Sequence, residues 1–280
     1  MPIKIYRENR AARKQASMVD RSALYRGEPH RPLVQPKQRR GGRQREGKMT
    51  VRHRGGGARR AWRIIDFGQD KVGVPARVER LEFDPNRSAF VALLAYADGD
   101  RRYRLAWHGA RAGDVVVAQP QAPEQAGNRL QLQHVTPGTA VHDVELKPGR
   151  GGVLFRAAGA SAVVLDVQGE RVLLKAPSGE LRQVPGEAFA TVGAVSNPDH
   201  RLVRAGSAGR RRRLGWRPAV RGKAMNPVDH PHGGGEGAQP IGLKAPKTRW
   251  GRPALGVPTR RRGKYSNSLI VQRRLPKRRS

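Results

Sequence analysis

The stretch EFDPNRSAFVALLAYADGDRRY, Glu82 to Tyr103, decides the fold. Asp84-Pro85-Asn86 is a turn, because proline fixes φ while Asp and Asn hydrogen-bond their own backbone. Ala89 to Ala95 is an apolar run of strand formers, Ala97-Asp98-Gly99-Asp100 reverses the chain, and Arg102 to Leu105 returns as the second arm of a hairpin. Working outward, Ala61 to Phe67 is rich in β-formers, Val74 to Phe83 alternates in two phases (Val74, Ala76, Val78, then Leu81, Phe83), and Asp114 to Ala118 closes the set. Five short strands within about sixty residues predict a small closed barrel.

A second set follows. Thr139 to Glu145, Gly152 to Arg156, Ala162 to Val167, Arg171 to Lys175, Leu181 to Val184 and Ala190 to Val195 are separated by Pro148-Gly149, Gly169-Glu170 and Ser178-Gly179. Such spacing predicts another small barrel. Between the sets, Gln119 to Asn128 has no apolar periodicity and is expected to be a linker or long connection. The one short helix expected lies around Asn9 to Ser17, and the C-terminal part is expected to be a basic coil with a single apolar patch at Leu269 to Val271.

Charge divides the chain differently. Residues 1–62 carry 18 Lys and Arg against 4 Asp and Glu, residues 204–280 carry 21 against 2, and residues 63–203 hold 17 against 16, within a total of +34. Two cationic arms around a near-neutral centre require a polyanionic partner. Each arm repels itself and buries little apolar surface, so both are expected to order on that partner. The absence of cysteine excludes disulfides, thiolate catalysis and Cys-ligated zinc. Apolar stretches such as Phe90 to Ala95 fall far short of the ~20 residues of a membrane span, and neither arm has a sustained amphipathic face. A soluble protein with no membrane partner is expected.

Two loops carry candidate chemistry. In RHRGGGARR, Arg52 to Arg60, three glycines let the backbone approach a phosphodiester while arginines pair with its oxygens; a flexible solvated linker is the plainer alternative. In RGKAMNPVDHPHGGGEG, Arg221 to Gly237, three readings stand side by side. His230, His232, Asp229 and Glu236 offer metal-ligand chemistry, but on a Pro/Gly-rich segment rather than a rigid element. His230 oriented by Asp229 would be a general base, yet no nucleophile stands at a convincing spacing. The third is an extended loop packed on folded nucleic acid, and this is the reading adopted, with no metal and no catalytic residue assigned. An enzyme acting on an acyl or phosphoryl substrate and a general DNA-compacting protein remain the rivals from other classes. Arg150 and Arg156 stand beside turns where they would grip a backbone or simply be solvated. With aromatic residues at 5 %, base stacking is expected to be secondary to phosphate contact.

These segments together resemble the large-subunit ribosomal protein L2 family in its bacterial form. The resemblance is carried by GGRQREGKMTVRHRGGG (Gly41 to Gly57), RIIDF (Arg63 to Phe67), the Glu82 to Tyr103 stretch, GTAVHDVELKPGRGG (Gly138 to Gly152), ATVGAVSN (Ala190 to Asn197), the Arg221 to Gly237 block and PIGLKAPKTRWGRPALG (Pro240 to Gly256). It implies a mostly β protein with long basic irregular extensions: an N-terminal extension over 1–60, an OB-like barrel over 61–126, an SH3-like barrel over 127–200 and a Gly/Pro-rich C-terminal extension over 201–280. It implies a structural, non-enzymatic constituent of the large subunit that binds large-subunit rRNA, stabilises the peptidyl-transferase region and supports subunit association. Neighbouring ribosomal proteins and the small subunit are the further partners it implies, in a cytoplasmic ribosome with no small-molecule substrate, and no cofactor is expected beyond Mg2+ associated with the bound rRNA. The RNA contacts expected in the first extension and first barrel are Arg43, Arg52, His53, Arg54, Gly55, Gly56, Gly57, Arg59, Arg60, Arg63 and Arg87, followed by Arg150 and Arg156 in the second barrel. Those of the C-terminal extension are Arg210, Arg211, Arg212, Arg213, Arg217, Arg221, Lys223, Asn226, Asp229, His230, His232, Gly233, Gly234, Gly235, Lys244, Lys247, Arg249 and Arg252. His230 at most supports the RNA active centre.

Overall fold

The structure, a computed structural model, describes residues 3–6, 16–237 and 239–274. It is mostly β and falls into two compact units: residues 1–38, 59–210 and 268–280 make the first, and residues 39–58 and 211–267 the second. Among the described residues no helix is long and apolar enough to cross a membrane.

The first unit holds two curled antiparallel sheets in succession, the OB-like and SH3-like barrels. The first sheet has the order Arg101–Leu105, Val91–Tyr96, Ala76–Glu82, Val115–Val116. Val91–Tyr96 reads as an unbroken apolar run because both of its faces are covered. Ala92, Leu94 and Tyr96 join Val78, Phe90 and Trp107 in one cluster, while Val91 and Leu93 join Tyr103, Leu33 and Ile65 in another. Its neighbour Ala76–Glu82 shifts register between Val78 and Arg80. An inserted residue flips every later side chain to the opposite face, which is why the apolar phase of the sequence slips between Val78 and Leu81. The Asp98-Gly99 hairpin closes with the Gly99 amide donating to Tyr96 O at 2.9 Å.

The second sheet has seven strands in the order Ile270–Gln272, Leu181–Pro185, Arg171–Lys175, Ala162–Gln168, Ala140–His142, Phe189–Val192, Arg129–Gln131. Leu130, Leu132, Val141, Val164, Val172, Leu174 and Val184 fill its core. The strand expected over Thr139 to Glu145 is interrupted at Asp143, whose φ of +48° turns the chain from Ala140–His142 into the separate short strand Val144–Glu145.

Gln119 to Asn128 is the long connection rather than a free linker: Asn128 is buried, its Oδ1 accepts from the Val117 amide at 3.0 Å, its Nδ2 donates to Pro123 O at 3.0 Å, and Ala122 enters the second core. Two expectations are corrected. The patch at Leu269 to Val271 is no coil, because Ile270–Gln272 adds an edge strand to Leu181–Pro185. A six-residue α-helix, Ala208–Arg213, stands where coil was expected; Ser207 Oγ accepts the Arg210 amide at 3.4 Å near its start, and its arginines are strong helix formers. The helix expected at 9–17 lies outside the described residues up to Gln15, and Ser17 opens a strand, Ser17–Val19, paired with Ile3–Ile5.

Candidate nucleic-acid interface

Among the described residues of the first unit, 11 carboxylates are held in ion pairs within the protein. Arg102 donates to Asp66 and Asp100 at 3.0 Å each and also pairs with Asp70. Hydrogen bonds from Lys71 and then Arg102 hold the Asp100 carboxyl down to about 2. Arg129, almost fully buried, donates to Glu145 Oε1 at 3.0 Å and to Asp143 O at 3.0 Å. Glu145 in turn accepts the amides of Gly149 and Gly151, both at 3.1 Å, so the Pro148 to Gly152 loop is wrapped around a buried carboxylate and presents exposed Arg150 outward. Burial pushes the neighbouring Asp143 carboxyl up despite Arg129 at 3.4 Å.

Arg87 and Arg156, 69 positions apart, come to one spot. The Asp84 carboxylate accepts the Asn86 amide at 2.9 Å and Arg87 Nε at 2.6 Å. Ser88 Oγ accepts the Ala158 amide at 3.1 Å, and Asn197 Nδ2 donates to Ser88 O at 2.7 Å, clamping the DPNRS turn to the loop after Arg156. Both guanidinium groups then face the Phe67 ring, Arg156 at 4.3 Å and Arg87 at 5.7 Å from its centroid. Arg60 is tied to Pro85 O at 3.0 Å, and exposed Arg59 precedes it. Arg210 is half-buried over Tyr6 at 5.7 Å. Arg63 departs from the expectation: only 8 % exposed, it donates to Glu82 Oε2 at 3.3 Å, so its charge is used inside the barrel and is not offered to a phosphate.

The second unit is the reverse. Its 77 residues carry 21 Lys and Arg against 3 Asp and Glu, and among its described residues one ion pair forms, Lys48–Glu46 at 3.6 Å. Segments of the two sequence arms meet here. The Gly55 amide donates to Gly215 O at 3.0 Å, the Ala58 amide to Arg213 O at 2.9 Å and the Arg217 amide to His53 O at 3.0 Å. Arg54 lies over the Trp216 ring at 3.4 Å. Gly57, at φ +92°, has no room for a side chain, since a Cβ would stand 3.0 Å from Arg213 O and 3.1 Å from Gly215. This glycine is spent on chain packing rather than on approach to a phosphate; Gly56, at φ +64° with open space beside it, keeps that possibility, and Gly55 lies against Arg217.

The histidine loop is self-bonded. The Asp229 amide donates to Asn226 O at 3.0 Å, Gly233 to His230 O at 2.8 Å and Gly234 to Met225 O at 3.1 Å. The His232 amide donates to His230 Nδ1 at 3.0 Å, and the Lys247 amide donates to His232 Nε2 at 2.9 Å. An imidazole nitrogen that accepts carries no proton, so the His230 proton sits on Nε2. With Nδ1 occupied by the His232 amide and the proton on Nε2, neither nitrogen is free to act as a general base in this arrangement. The rings of His230 and His232 are 4.8 Å apart and tilted by 57°. Gly222 lies directly under His230, and a Cβ there would be 2.5 Å from the imidazole. Among the described residues no three His, Cys, Asp or Glu side chains gather as metal ligands.

An open cleft of about 880 Å³ unites the cationic motifs, bringing Arg52, His53 and Arg54 to Arg217, His230 and Lys247, with Arg249 and Asp229 at its wall. Arg43 pairs by backbone with Met49, and Lys223 reaches Gln239 O at 3.3 Å. Arg211, Arg212, Arg213, Arg221, Asn226, Lys244 and Arg252 are exposed, as is Gly235, while Gly233 and Gly234 are half-buried in the histidine loop. The sequence reading missed the aromatic side of the site. Trp62, Trp216 and Trp250 are all exposed and each adjoins an arginine in sequence, as Trp62-Arg63, Trp216-Arg217 and Arg249-Trp250, a signal that was available.

Comparison with known families gives two matches. Residues 30–118 match the RNA-binding N-terminal domain of ribosomal proteins L2, and residues 125–251 match the C-terminal domain of the same proteins.

Proposed function

Because the chain belongs to the ribosomal protein L2 family, and so is a large-subunit ribosomal protein with an RNA-binding N-terminal domain, we propose that it holds large-subunit rRNA by two surfaces. One is the first unit's Arg87/Arg156 pair over Phe67, with Arg59 and Arg60 of the same unit; the other is the second unit, from Arg43 and the Arg52 to Gly57 loop to Arg252. The observation that carries this reading is the second unit itself: 21 cations against 3 anions, with one internal ion pair among the described residues, is a self-repelling body that a polyanion stabilises. The cleft collects motifs from three separate parts of the chain, as a surface shaped for a folded backbone would. Resemblance supports the finer roles: stabilising the peptidyl-transferase region, contact with neighbouring proteins and the small subunit, and action in the cytoplasm. In this reading His230 holds loop geometry against RNA, and Mg2+ enters with the RNA.

The test is the affinity of the full chain for large-subunit rRNA as a function of salt. Between 50 and 200 mM, affinity should fall by about 10³-fold or more, as for six or more phosphate contacts. Arg87→Ala and Arg156→Ala should each lower the logarithmic slope by about one. A slope near zero in the unaltered chain ends the proposal.

A further inference from the structure

The exposed tryptophans of the second unit differ in what their faces meet. Trp216 has the Arg54 guanidinium flat against one face at 3.4 Å and shares a backbone bridge with Arg54. It is a cross-brace between the two segments of that unit. Trp250 has no such cover. It stands at the tip of a tight hairpin in which the Thr248 amide donates to Arg252 O at 2.7 Å, the Gly251 amide donates to Thr248 O at 2.9 Å, and Lys247 bridges Pro253. Its indole is 68 % exposed, and its neighbouring cations stand back, Arg52 at 5.4 Å and Arg249 at 5.7 Å from the ring. Both of these arginines also line the cationic cleft.

An indole held largely in water on a short, hydrogen-bonded turn packs into no core, and its only ring contacts among the described residues are the two arginines standing back from it. Most of its large apolar face is left open, at a unit whose net charge of +18 selects a polyanion as the body that covers it. Base faces are the apolar, planar surfaces that a polyanion offers, and in a duplex they are already stacked on one another. We propose that Trp250 is a base-stacking site for an unpaired nucleotide of the bound RNA, with Arg52 and Arg249 placed to take the phosphates on either side. This rests on the RNA-binding reading above and adds to it a preference for single-stranded nucleotides at one residue.

The probes are a fluorescein-labelled RNA dodecamer of adenosines and a 12-base-pair RNA duplex, bound to the full chain and to Trp250→Ala, Trp250→Phe and Trp216→Ala. Trp250→Ala should bind the single strand about 5- to 150-fold more weakly, the range of one base-to-aromatic stack, with duplex affinity and salt slope unchanged. Trp250→Phe should recover most of the loss. Trp216→Ala should instead lower the unfolding midpoint and weaken both probes together. Equal loss on both probes for Trp250→Ala, or no loss on either, overturns the stacking site. If the unaltered chain binds neither probe in a salt-dependent way, it is the RNA-binding reading that has failed.

Discussion

Acidification should weaken the second barrel through His142. This imidazole is 1 % exposed, its Nδ1 donates to Gly193 O at 2.9 Å, and its value is lowered to about 4, by burial first and then by the nearby Arg104 and Arg129 cations. The unfolded chain protonates the same side chain near 6.5. Folding therefore favours the neutral ring, and the stability this gives is complete above pH 6.5 and lost as pH falls toward 4. At pH 5 the unfolded state gains about 30-fold in proton binding over the folded one, which corresponds to about 2 kcal/mol lost relative to neutral pH. Asp143, raised by burial, works in the opposite sense at lower pH, so the comparison must isolate His142. In His142→Asn the side-chain amide keeps a donor toward Gly193 O and does not titrate. Urea unfolding followed by far-UV circular dichroism at pH 7.5, 6 and 5 should show the unaltered chain losing about 2 kcal/mol more than the variant. Equal pH slopes refute the reasoning. Should the variant not fold, the imidazole NMR signal of His142 in the unaltered chain gives the same answer: it must not titrate above pH 5.

Two further outcomes follow from buried geometry. Arg129→Met should cost about 3 to 5 kcal/mol in urea unfolding, because it leaves Glu145 and Asp143 without their cation, and adding Glu145→Gln should cost less than the sum of the two singles. Gly222→Ala should drive the His230 ring from its seat and remove the acceptor of the His232 amide, whose hydrogen exchange should quicken about 5-fold or more while the barrels keep their unfolding midpoint.

Both barrels were legible because strands and turns write locally. Arg171 to Lys175 was bounded to the residue, and even the bulge left a trace in the slipped phase after Val78. What escaped is long-range and carried by the backbone. The bonds that bring His53, Gly55 and Ala58 to the 213–217 turn use amides and carbonyls, and Gly57 marks only that something must come close. Ile270–Gln272 is too short to announce a strand without Leu181–Pro185 beside it. Asn128 was read as polar linker because its two hydrogen bonds, which make its burial tolerable, are invisible in composition. Among the arginines, sequence alone cannot separate Arg63 from Arg150; the difference is that Glu82 lies on the adjacent strand surface for one and solvent for the other.

The meeting of His53 with the 217–218 segment spans 165 positions of chain. At a synthesis rate of about 5 to 20 residues per second, the first segment of the second unit, residues 39–58, waits on the order of 10 to 30 seconds for its complement. The strands of both sheets up to Phe189–Val192 emerge before that wait ends, but the edge strand Ile270–Gln272 emerges after every residue that lines the cleft, so the second sheet is completed last. A chain halted near Arg210 would hold the first sheet whole, the second without its Ile270–Gln272 edge, and one of the three segments that line the cleft.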